Sequence, residues 1–332
     1  MRLATVILVA GFAAAPAFPA APCVPAAASC TEWVELGGGP SRSLVYVNHS
    51  LDAADRRITR AFVMVHGQGR NADDYYRTAM AAAFLANATE DTIVISPRFA
   101  SSDRGCADTL VPNEVNWACA GDSWRSGAAA RGNDRLTSYD FMDEILRKLA
   151  RKQVFPNLKR IVVAGHSAGG QYVSRYVMAN RVNDSLGVPV TYVISNPSSY
   201  AYPDGNRPRG DGEVGQYSEG RNCTTYDKWP YGLQQRNGYA ARLTDDELRK
   251  QFVSRNVVYL LSELDTLPIA GFDSSCPAMA QGPTRLARGQ TYAAYMNQKY
   301  GASHKVTVVP LCGHNARCVF TADPALEIVF AK

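Results

Sequence analysis

Short apolar runs alternate with amphipathic segments along most of the chain. Seven of these runs are candidate strands, and most of them are rich in β-branched residues and almost continuously apolar, which is typical of strands buried on both faces of a sheet. They cover residues 44–47, 61–65, 92–96, 160–164, 191–194, 257–261 and 305–309. Because helical patterns separate them, the sequence predicts an α/β fold in which helices cover both faces of a mostly parallel sheet.

Four of the intervening segments carry helix signals. Residues 72–87 follow an asparagine, which favours helix N-caps, and Ser138 opens a segment whose apolar positions fall on one helical face. Thr244 and Glu247 have the spacing of a capping box. A fourth helix precedes Gly301, and glycine is well suited to end a helix.

One long segment breaks this alternation. From residue 196 to about residue 241 the chain is rich in Gly, Pro, Tyr and charged residues, without clear periodicity. It is also longer than the loops of a compact α/β unit. We interpret it as a lid or cap insertion, at about residues 196–255 of a single domain over residues 21–332. Its aromatic side chains can line a substrate pocket or simply pack within the segment: Tyr226, Trp229 and Tyr231.

The N-terminus has the pattern of a secretory signal peptide. A single Arg2 precedes an apolar stretch over residues 3–18, and prolines and alanines follow, so we assign residues 1–20 to the signal. An uncleaved anchor is the alternative, which the prolines and the short length disfavour. No internal stretch approaches roughly 18 consecutive apolar residues, and stable membrane insertion is not expected.

Composition and charge exclude several classes of protein. With 332 residues, 46% hydrophobic and 20% charged, the chain can bury an ample core and lacks the signature of disorder. Lys and Arg total 35 against 30 Asp and Glu, a net charge of +5, but the basic residues are scattered among acids. We therefore expect no nucleic-acid partner. The sequence predicts no cofactor and does not indicate an oligomeric state.

Eight cysteines fit a chain that is exported to an oxidising compartment. Spacing alone does not fix their connectivity. The simplest arrangement pairs nearest neighbours: Cys23 with Cys30, Cys106 with Cys119, Cys223 with Cys276, and Cys312 with Cys318. A zinc site of Cys312, His314 and Cys318 is an alternative, although its spacing is not that of a known zinc knuckle, and we expect no metal.

A candidate nucleophile lies between the fourth predicted strand and a helix that begins near Gly170. Residues 165–169 read Gly-His-Ser-Ala-Gly, the G-x-S-x-G pattern in its strand, turn and helix context. A nucleophile on such a sharp turn must protrude, and larger side chains at Gly165 or Gly169 would collide with the adjoining strand and helix. We assign Ser167 as the nucleophile.

A serine hydroxyl needs a base, and the base needs an acceptor that holds its tautomer. Of five histidines, His314 lies just past the last predicted strand, where this architecture needs its base. His166 precedes the nucleophile and is expected to point away from it. The loop after residues 257–261 offers Asp265 as the acceptor, with Glu263 as the second choice.

Acyl transfer also requires donors that stabilise an oxyanion. One is expected to be the backbone N–H of Ala168, which follows the nucleophile. The other is expected from the turn after residues 61–65, which reads His-Gly-Gln-Gly at residues 66–69, and we choose the N–H of Gln68. The alternative is that this sequence is only a tight turn between a strand and a helix.

Together these motifs resemble those of α/β-hydrolases, and the resemblance extends from residue 61 to the C-terminus. The turn at residues 66–69, the elbow at residues 165–170 and the Cys-Gly-His loop at residues 312–314 are similar to those of secreted esterases and poly(hydroxyalkanoate)-depolymerase-like proteins. The resemblance implies a serine hydrolase with an acyl-enzyme intermediate, and it implies no particular substrate. The turn at residues 66–69 departs from the Gly-Gly-Gly type of some lipases, so triglyceride activity is not implied.

The leading hypothesis is an exported hydrolase of carboxylic esters, with a small-molecule or polymeric ester as substrate. A peptidase or amidase that uses the same three side chains is the alternative within the enzyme class. A non-catalytic adhesion or binding protein is the alternative outside it. Only the tripeptide Arg209, Gly210 and Asp211 favours adhesion, and a solvated turn is the strongly favoured explanation of so short a motif.

Overall fold

The computed structural model describes residues 21–119, 124–209, 213–217, 222–269 and 271–331. The predicted signal peptide over residues 1–20 lies outside the described residues, as do Gly210 and Asp211 of the adhesion-like tripeptide. In chain order the elements are β1 (Thr31–Glu35), β2 (Arg42–Val47), β3 (Arg60–Val65), α1 (Ala72–Leu85), β4 (Thr92–Pro97), β5 (Ala129–Ala130), β6 (Asn133–Thr137), α2 (Ser138–Leu149), β7 (Arg160–His166), α3 (Ala168–Ala179), β8 (Val190–Ser195), β9 (Asn206–Pro208), β10 (Val214–Gln216), α4 (Asp245–Ser254), β11 (Asn256–Ser262), α5 (Cys276–Met279), α6 (Arg285–Tyr300), β12 (Lys305–Val309), α7 (Ala316–Thr321) and α8 (Asp323–Val329).

An eight-stranded sheet forms the centre of the protein, in the order β1-β2-β4-β3-β7-β8-β11-β12. The strands from β4 to β12 in this order pair in parallel, whereas β2 pairs antiparallel with both β1 and β4. The prediction of a mostly parallel sheet is confirmed. Each of the seven predicted strands is present within two residues of its expected ends. The edge strand β1 was not predicted, because its half-buried residues do not form an apolar run.

Alternation along the strands separates two hydrophobic cores, one on each face of the sheet. In β3, Phe62 and Met64 point to the core beneath α1, α7 and α8, whereas Val63 and Val65 point to the core beneath α2, α3, α4 and α6. Helices therefore cover both faces, as the sequence pattern predicts.

The helix signals are confirmed with small corrections. Thr244 and Glu247 form the predicted capping box, and Gly301 ends α6 with a left-handed φ of 68°. The N-cap of α2 is Thr137 rather than Ser138. The Thr137 hydroxyl accepts a hydrogen bond from the backbone N–H of Asp140, and the Asp140 carboxylate accepts one from the backbone N–H of Thr137. The first helix ends at Leu85, two residues earlier than expected.

The segment from 196 to 255 contains the β9–β10 hairpin and α4. Leu248 and Phe252 of α4 are fully buried in the core. Trp229 is also buried, and its indole N–H donates to the carbonyl oxygen of Ser126 at 3.0 Å. These residues pack as part of the domain, and the lid stays a prediction.

The eight cysteines form four disulfides, which are the nearest-neighbour pairs expected from the sequence. Because Cys312 and Cys318 are bonded to each other, neither offers a thiolate to zinc. Within the ranges described above, no helix combines the length and apolar character needed to cross a membrane.

Candidate active site

Ser167 occupies a strained turn between β7 and α3. Its φ of 59° and ψ of −118° lie in a region that non-glycine residues rarely adopt, and such strain is typical of functional turns. The flanking glycines are required by space. A Cβ on Gly165 would lie 2.3 Å from the carbonyl oxygen of Gly169, and a Cβ on Gly169 would lie 2.3 Å from that of Val65. The predicted elbow therefore has the close backbone contacts that its sequence implies.

Three side chains from distant parts of the chain meet at this turn. The His314 Nε2 atom lies 2.9 Å from Ser167 Oγ, and His314 Nδ1 lies 2.7 Å from Asp265 Oδ2. Because an ionised carboxylate can only accept, we assign the imidazole proton to Nδ1, which leaves Nε2 free to accept from the serine hydroxyl. Glu263, the second choice, instead accepts from the backbone N–H of Leu311 at 2.9 Å. The structure thus brings together the first-choice residues.

Arg285 is a further residue at the site, one that carries a positive charge, and the sequence did not indicate it. The guanidinium donates to Asp265 Oδ1 at 3.3 Å and, through Nε, to Ser198 Oγ at 2.7 Å. Arg285 and Asp265 are both buried, so this ion pair is hardly screened by water. Burial lowers the pKa of Arg285, while the adjacent Asp265 carboxylate opposes that shift. No local pattern links two residues twenty positions apart, and no sequence signal identifies this contact.

His166 differs from its expected orientation. It was expected to point away from Ser167, but its ring lies 4.6 Å from the His314 ring and lines the same cleft. The period of two along β7 explains this, since His166 shares a face with Val162 and Ala164 and so projects toward α1. There its Nδ1 lies 3.3 Å from the Tyr75 hydroxyl. Burial lowers the pKa of His166 well below its usual range, and this histidine stays neutral beside His314.

A second buried histidine holds the turn at residues 66–69. His66 Nε2 accepts from the N–H of Phe99 at 3.2 Å, which leaves Nδ1–H to donate to the carbonyl oxygen of Gly67 at 2.9 Å. Burial lowers the pKa of His66 to about 4, so the ring is neutral at physiological pH. This pair of bonds fixes the turn that contains Gln68. A Cβ on Gly67 would lie 3.8 Å from the Ser167 Cβ atom, and the turn is therefore close to the nucleophile.

The two expected oxyanion donors lie on either side of Ser167. Ala168 is the first residue of α3, where the N–H groups of a helix are free to bind an anion. Gln68 lines the cleft together with Ser167. The role of both N–H groups stays a prediction.

The cleft at the site has a volume of about 680 Å³, and Ser167 and His314 lie in its wall. A neighbouring cavity of about 360 Å³ shares Gln68 and Gly271 with the cleft and contains Tyr231. Gln68 and Gly271 lie in close contact, because a Cβ on Gly271 would lie 2.6 Å from Gln68 Oε1. Of the aromatic residues considered for a pocket in the 196–241 segment, Tyr231 lines a cavity next to the site, whereas Trp229 packs in the core.

Comparisons with known proteins agree with this architecture. The sequence profile of the Alpha/beta hydrolase family matches residues 62–329. The crystal structure of the poly(3-hydroxybutyrate) depolymerase LpqC from Bordetella parapertussis is 19% identical, with a TM-score of 0.64, and the match covers 91% of each chain. Poly(aspartic acid) hydrolase-1 from Sphingomonas sp. KT-1 is 20% identical, with a TM-score of 0.63, over 90% of this chain and 98% of that one. At these identities the likeness is one of fold. No curated protein matches the chain.

Proposed function

Because the chain belongs to the α/β hydrolase family, we propose that it is an exported serine hydrolase that cleaves carboxylic esters through an acyl-enzyme. One observation carries the proposal, namely the continuous hydrogen-bonded chain from Ser167 through His314 to Asp265. A serine hydroxyl, an imidazole and a buried carboxylate in this order form a unit that activates the hydroxyl for attack on a carbonyl carbon.

In the proposed reaction Ser167 Oγ attacks the ester carbonyl carbon while His314 Nε2 takes the hydroxyl proton. The Asp265 carboxylate stabilises the imidazolium that forms. The negative oxygen of the tetrahedral intermediate accepts hydrogen bonds from the N–H groups of Ala168 and Gln68. His314 then gives its proton to the departing alcohol. Water, deprotonated by the same imidazole, attacks the acyl-enzyme and releases the acid.

The test is covalent labelling with an organophosphonate, followed by mass spectrometry. We expect one label per chain on Ser167 and none on Ser167→Ala. A non-catalytic adhesion protein would remain unlabelled. Because His314 must be neutral to accept the proton, the rate of ester hydrolysis should fall as acid protonates the imidazole. A flat rate between pH 4 and pH 8 would contradict this mechanism.

Ester specificity is tested with an ester and an amide of the same acyl group. We expect the ester to be cleaved with the higher kcat/KM. Faster cleavage of the amide would favour the peptidase or amidase alternative, in which the same three side chains act on a different leaving group.

Export is supported by the four disulfides, since such bonds persist in oxidising compartments. We propose that residues 1–20 are removed during export. Expression of the full chain in a bacterium with a periplasm, followed by mass spectrometry of the purified product, should give an N-terminus near residue 21. Retention of residues 1–20 on the recovered protein would overturn this part of the proposal.

We also propose that the single domain over residues 21–332 carries a lid at about residues 196–255, next to the cleft. Support comes from Ser198 and Tyr231, which line the cavity adjoining Gln68. The Cys223–Cys276 disulfide joins this segment to α5. Hydrogen exchange in the presence and absence of a bound phosphonate should change most in this segment if it covers the substrate.

A further inference from the structure

A second large cavity, of about 610 Å³, lies between α1 and the first described residues of the chain. Phe84 and Val24 line it, and their exposed fractions of 75% and 60% are high for large apolar side chains. Most of the described residues in its wall are apolar: Ala21, Pro22, Val24, Met80, Ala81 and Phe84. Exposed apolar surface that forms a concave wall marks a contact or ligand site. We call this cavity the apolar groove.

The wall of the apolar groove that comes from the N-terminal segment is held in place. The backbone N–H of Cys23 donates to the carbonyl oxygen of Asn48 at 2.7 Å, and the Tyr76 hydroxyl donates to the carbonyl oxygen of Cys23. The Cys23–Cys30 disulfide joins the same segment to the residue before β1. The groove is therefore a formed feature of the domain.

The apolar groove adjoins the cleft that contains Ser167. Arg317 lines both cavities, and α1 forms a wall of each. On this helix Thr78 lines the cleft, and Ala81, about one turn further along, lines the groove. From Tyr75 in the cleft to Phe84 in the groove the helix rises by about 14 Å. An elongated ligand that starts in the cleft therefore reaches the groove within a few turns of α1.

The two arginines at the junction of the cavities leave the passage open to an apolar chain. Arg77 forms ion pairs with Asp73 and Asp74 on the surface of α1. Arg317 is exposed, so its guanidinium can stay in water while its aliphatic stem faces the passage. Neither guanidinium has to lose its water or its partners when an apolar chain lies beside it.

The position of His314 determines which part of an ester faces the groove. In the proposed reaction His314 Nε2 gives its proton to the oxygen of the departing alcohol, so this oxygen lies within hydrogen-bond reach of the imidazole. Residues 315–317 continue the wall of the cleft from His314 to the groove. An alcohol chain that follows this wall passes Arg317 and enters the apolar groove.

The acyl part of the ester faces a different surface. An acyl group directed away from His314 meets the cavity of about 360 Å³ that adjoins Gln68. None of the described residues that line this cavity belongs to the loop of His314, and its wall includes the polar side chains of Gln171, Ser198 and Asp273. It is smaller and more polar than the apolar groove. The site is therefore asymmetric, with the larger apolar space on the side of the alcohol.

We propose that the apolar groove binds the alcohol part of the substrate, and that the preferred substrates are esters of a short acyl group with a long apolar alcohol. The inference rests on the proposed ester hydrolysis, to which it adds the substrate class and the side of the ester that is recognised. Transfer of the alcohol chain from water to the groove supplies the binding free energy.

The experiment compares two isomeric esters, octyl acetate and ethyl octanoate. They contain the same atoms and differ only in whether the long chain lies on the alcohol side or on the acyl side of the carbonyl. Ethyl acetate gives the activity without a long chain. The kcat/KM of the exported protein is measured for each ester by titration of the released acid, at concentrations at which the ester is fully dissolved.

The test variant combines Val24→Ser with Phe84→Ser, which replaces the two most exposed apolar side chains of the groove. The matched control is Leu85→Ser. Leu85 follows Phe84 on α1 and has an exposed fraction of 56%, but it does not line the groove. A second test variant, Ala81→Glu, places a charge in the groove and keeps a residue that favours a helix.

We expect the parent to cleave octyl acetate with a kcat/KM at least about tenfold above that for ethyl octanoate and for ethyl acetate, because several methylene groups leave water. Both groove variants should lose most of the ratio of octyl acetate to ethyl acetate, and Leu85→Ser should keep it. A parent that cleaves ethyl octanoate as well as octyl acetate overturns the inference. A preference for octyl acetate that survives in both groove variants also overturns it.

A second copy of the chain is the other occupant that the test detects. In that case size-exclusion chromatography would show a dimer for the parent and a monomer for the variant with Val24→Ser and Phe84→Ser, and the two isomeric esters would be cleaved equally. This result overturns the inference, because the groove would then be an interface between copies.

The failure of the proposed function is distinguishable from the failure of this inference. A parent that cleaves none of the three esters lacks the proposed activity, and the inference falls with it. A parent that cleaves all three with equal kcat/KM retains the proposed function, and only the role of the apolar groove is refuted.

Discussion

Replacement of Arg285 by methionine should shift the pH dependence of catalysis. The guanidinium lies 3.3 Å from the Asp265 carboxylate, and both side chains are buried. At an effective dielectric constant of about 20, two charges at this separation attract each other by about 5 kcal/mol. Removal of one member of a buried ion pair costs about 3 to 5 kcal/mol, because the other charge is left without its partner. We expect Arg285→Met to lose about this much free energy of unfolding.

The catalytic effect follows from the position of His314 on the other carboxylate oxygen. The guanidinium lies 3.3 Å from one oxygen of Asp265, and the imidazole lies 2.7 Å from the other. The two groups are therefore at most about 8 Å apart, a distance at which the guanidinium and a protonated imidazole repel each other by about 2 kcal/mol. Loss of the guanidinium removes this repulsion and favours the protonated imidazole. The acid limb of the profile of kcat/KM against pH should therefore move to higher pH.

The assay is hydrolysis of a soluble ester between pH 5 and pH 9, at a temperature where urea unfolding shows each variant to be folded. Arg285→Lys keeps the charge and should restore most of the parent profile. Arg288→Met is the matched control, because Arg288 is equally buried on α6 and bonds to backbone oxygens of Gly282, Ser198 and Asp273. It should lose stability without moving the acid limb. An unmoved limb in Arg285→Met, or the same shift in Arg288→Met, would refute the electrostatic reasoning.

Three further predictions concern the scaffold around the site. Gly169→Ala should cost at least about 3 kcal/mol in urea unfolding, because its Cβ would lie 2.3 Å from a backbone oxygen, whereas Gly313→Ala has open space and should be neutral. Replacement of both Cys312 and Cys318 by serine should lower the free energy of unfolding by about 2 kcal/mol, as expected for so short a closed loop. It should also lower kcat more than it changes KM, because this loop carries the proposed base. An unchanged kcat would show that the loop keeps its position without the disulfide. Burial lowers the pKa of His66 from 6.5 to about 4. Between these two pH values the folded protein therefore binds fewer protons than the unfolded chain. The free energy of unfolding should fall by about 3 kcal/mol as the pH falls from about 6.5 to about 4. His66→Gln should flatten that dependence, and an equally steep dependence in the variant would assign it to other groups.

The residues that sequence reasoning identified are those tied to a local pattern. Ser167 lies in a short motif between a strand and a helix, Asp265 follows the buried strand β11, and His314 follows β12, an apolar run that is largely exposed at the edge of the sheet. In a parallel sheet the carboxyl ends of the strands lie at one edge. Residues that follow different strands are therefore expected to be neighbours, even though the sequence does not show their contacts directly. The core strands were found for the same reason, since burial on both faces gives a continuous apolar run.

The features that sequence reasoning missed depend on packing between elements. Arg285 reaches Asp265 only because the first turn of α6 packs against the loop after β11. The local sequence of neither segment indicates that the other lies beside it. The strand β1 lies at the edge of the sheet and is half-exposed, so it lacks an apolar run. The orientation of His166 was available in principle, because counting by twos from Val162 along β7 gives its face.

The order in which the chain supplies its parts has a consequence for when activity arises. Ser167 and His314 are 147 positions apart, and the imidazole comes from the loop after β12, the eighth strand of the sheet to be synthesised among those that form it. A chain folded only as far as the loop after β11 would contain the serine and the carboxylate without a base. The proposed activity is therefore latent until the sheet is complete, and the appearance of ester cleavage during refolding would report the docking of the last strand.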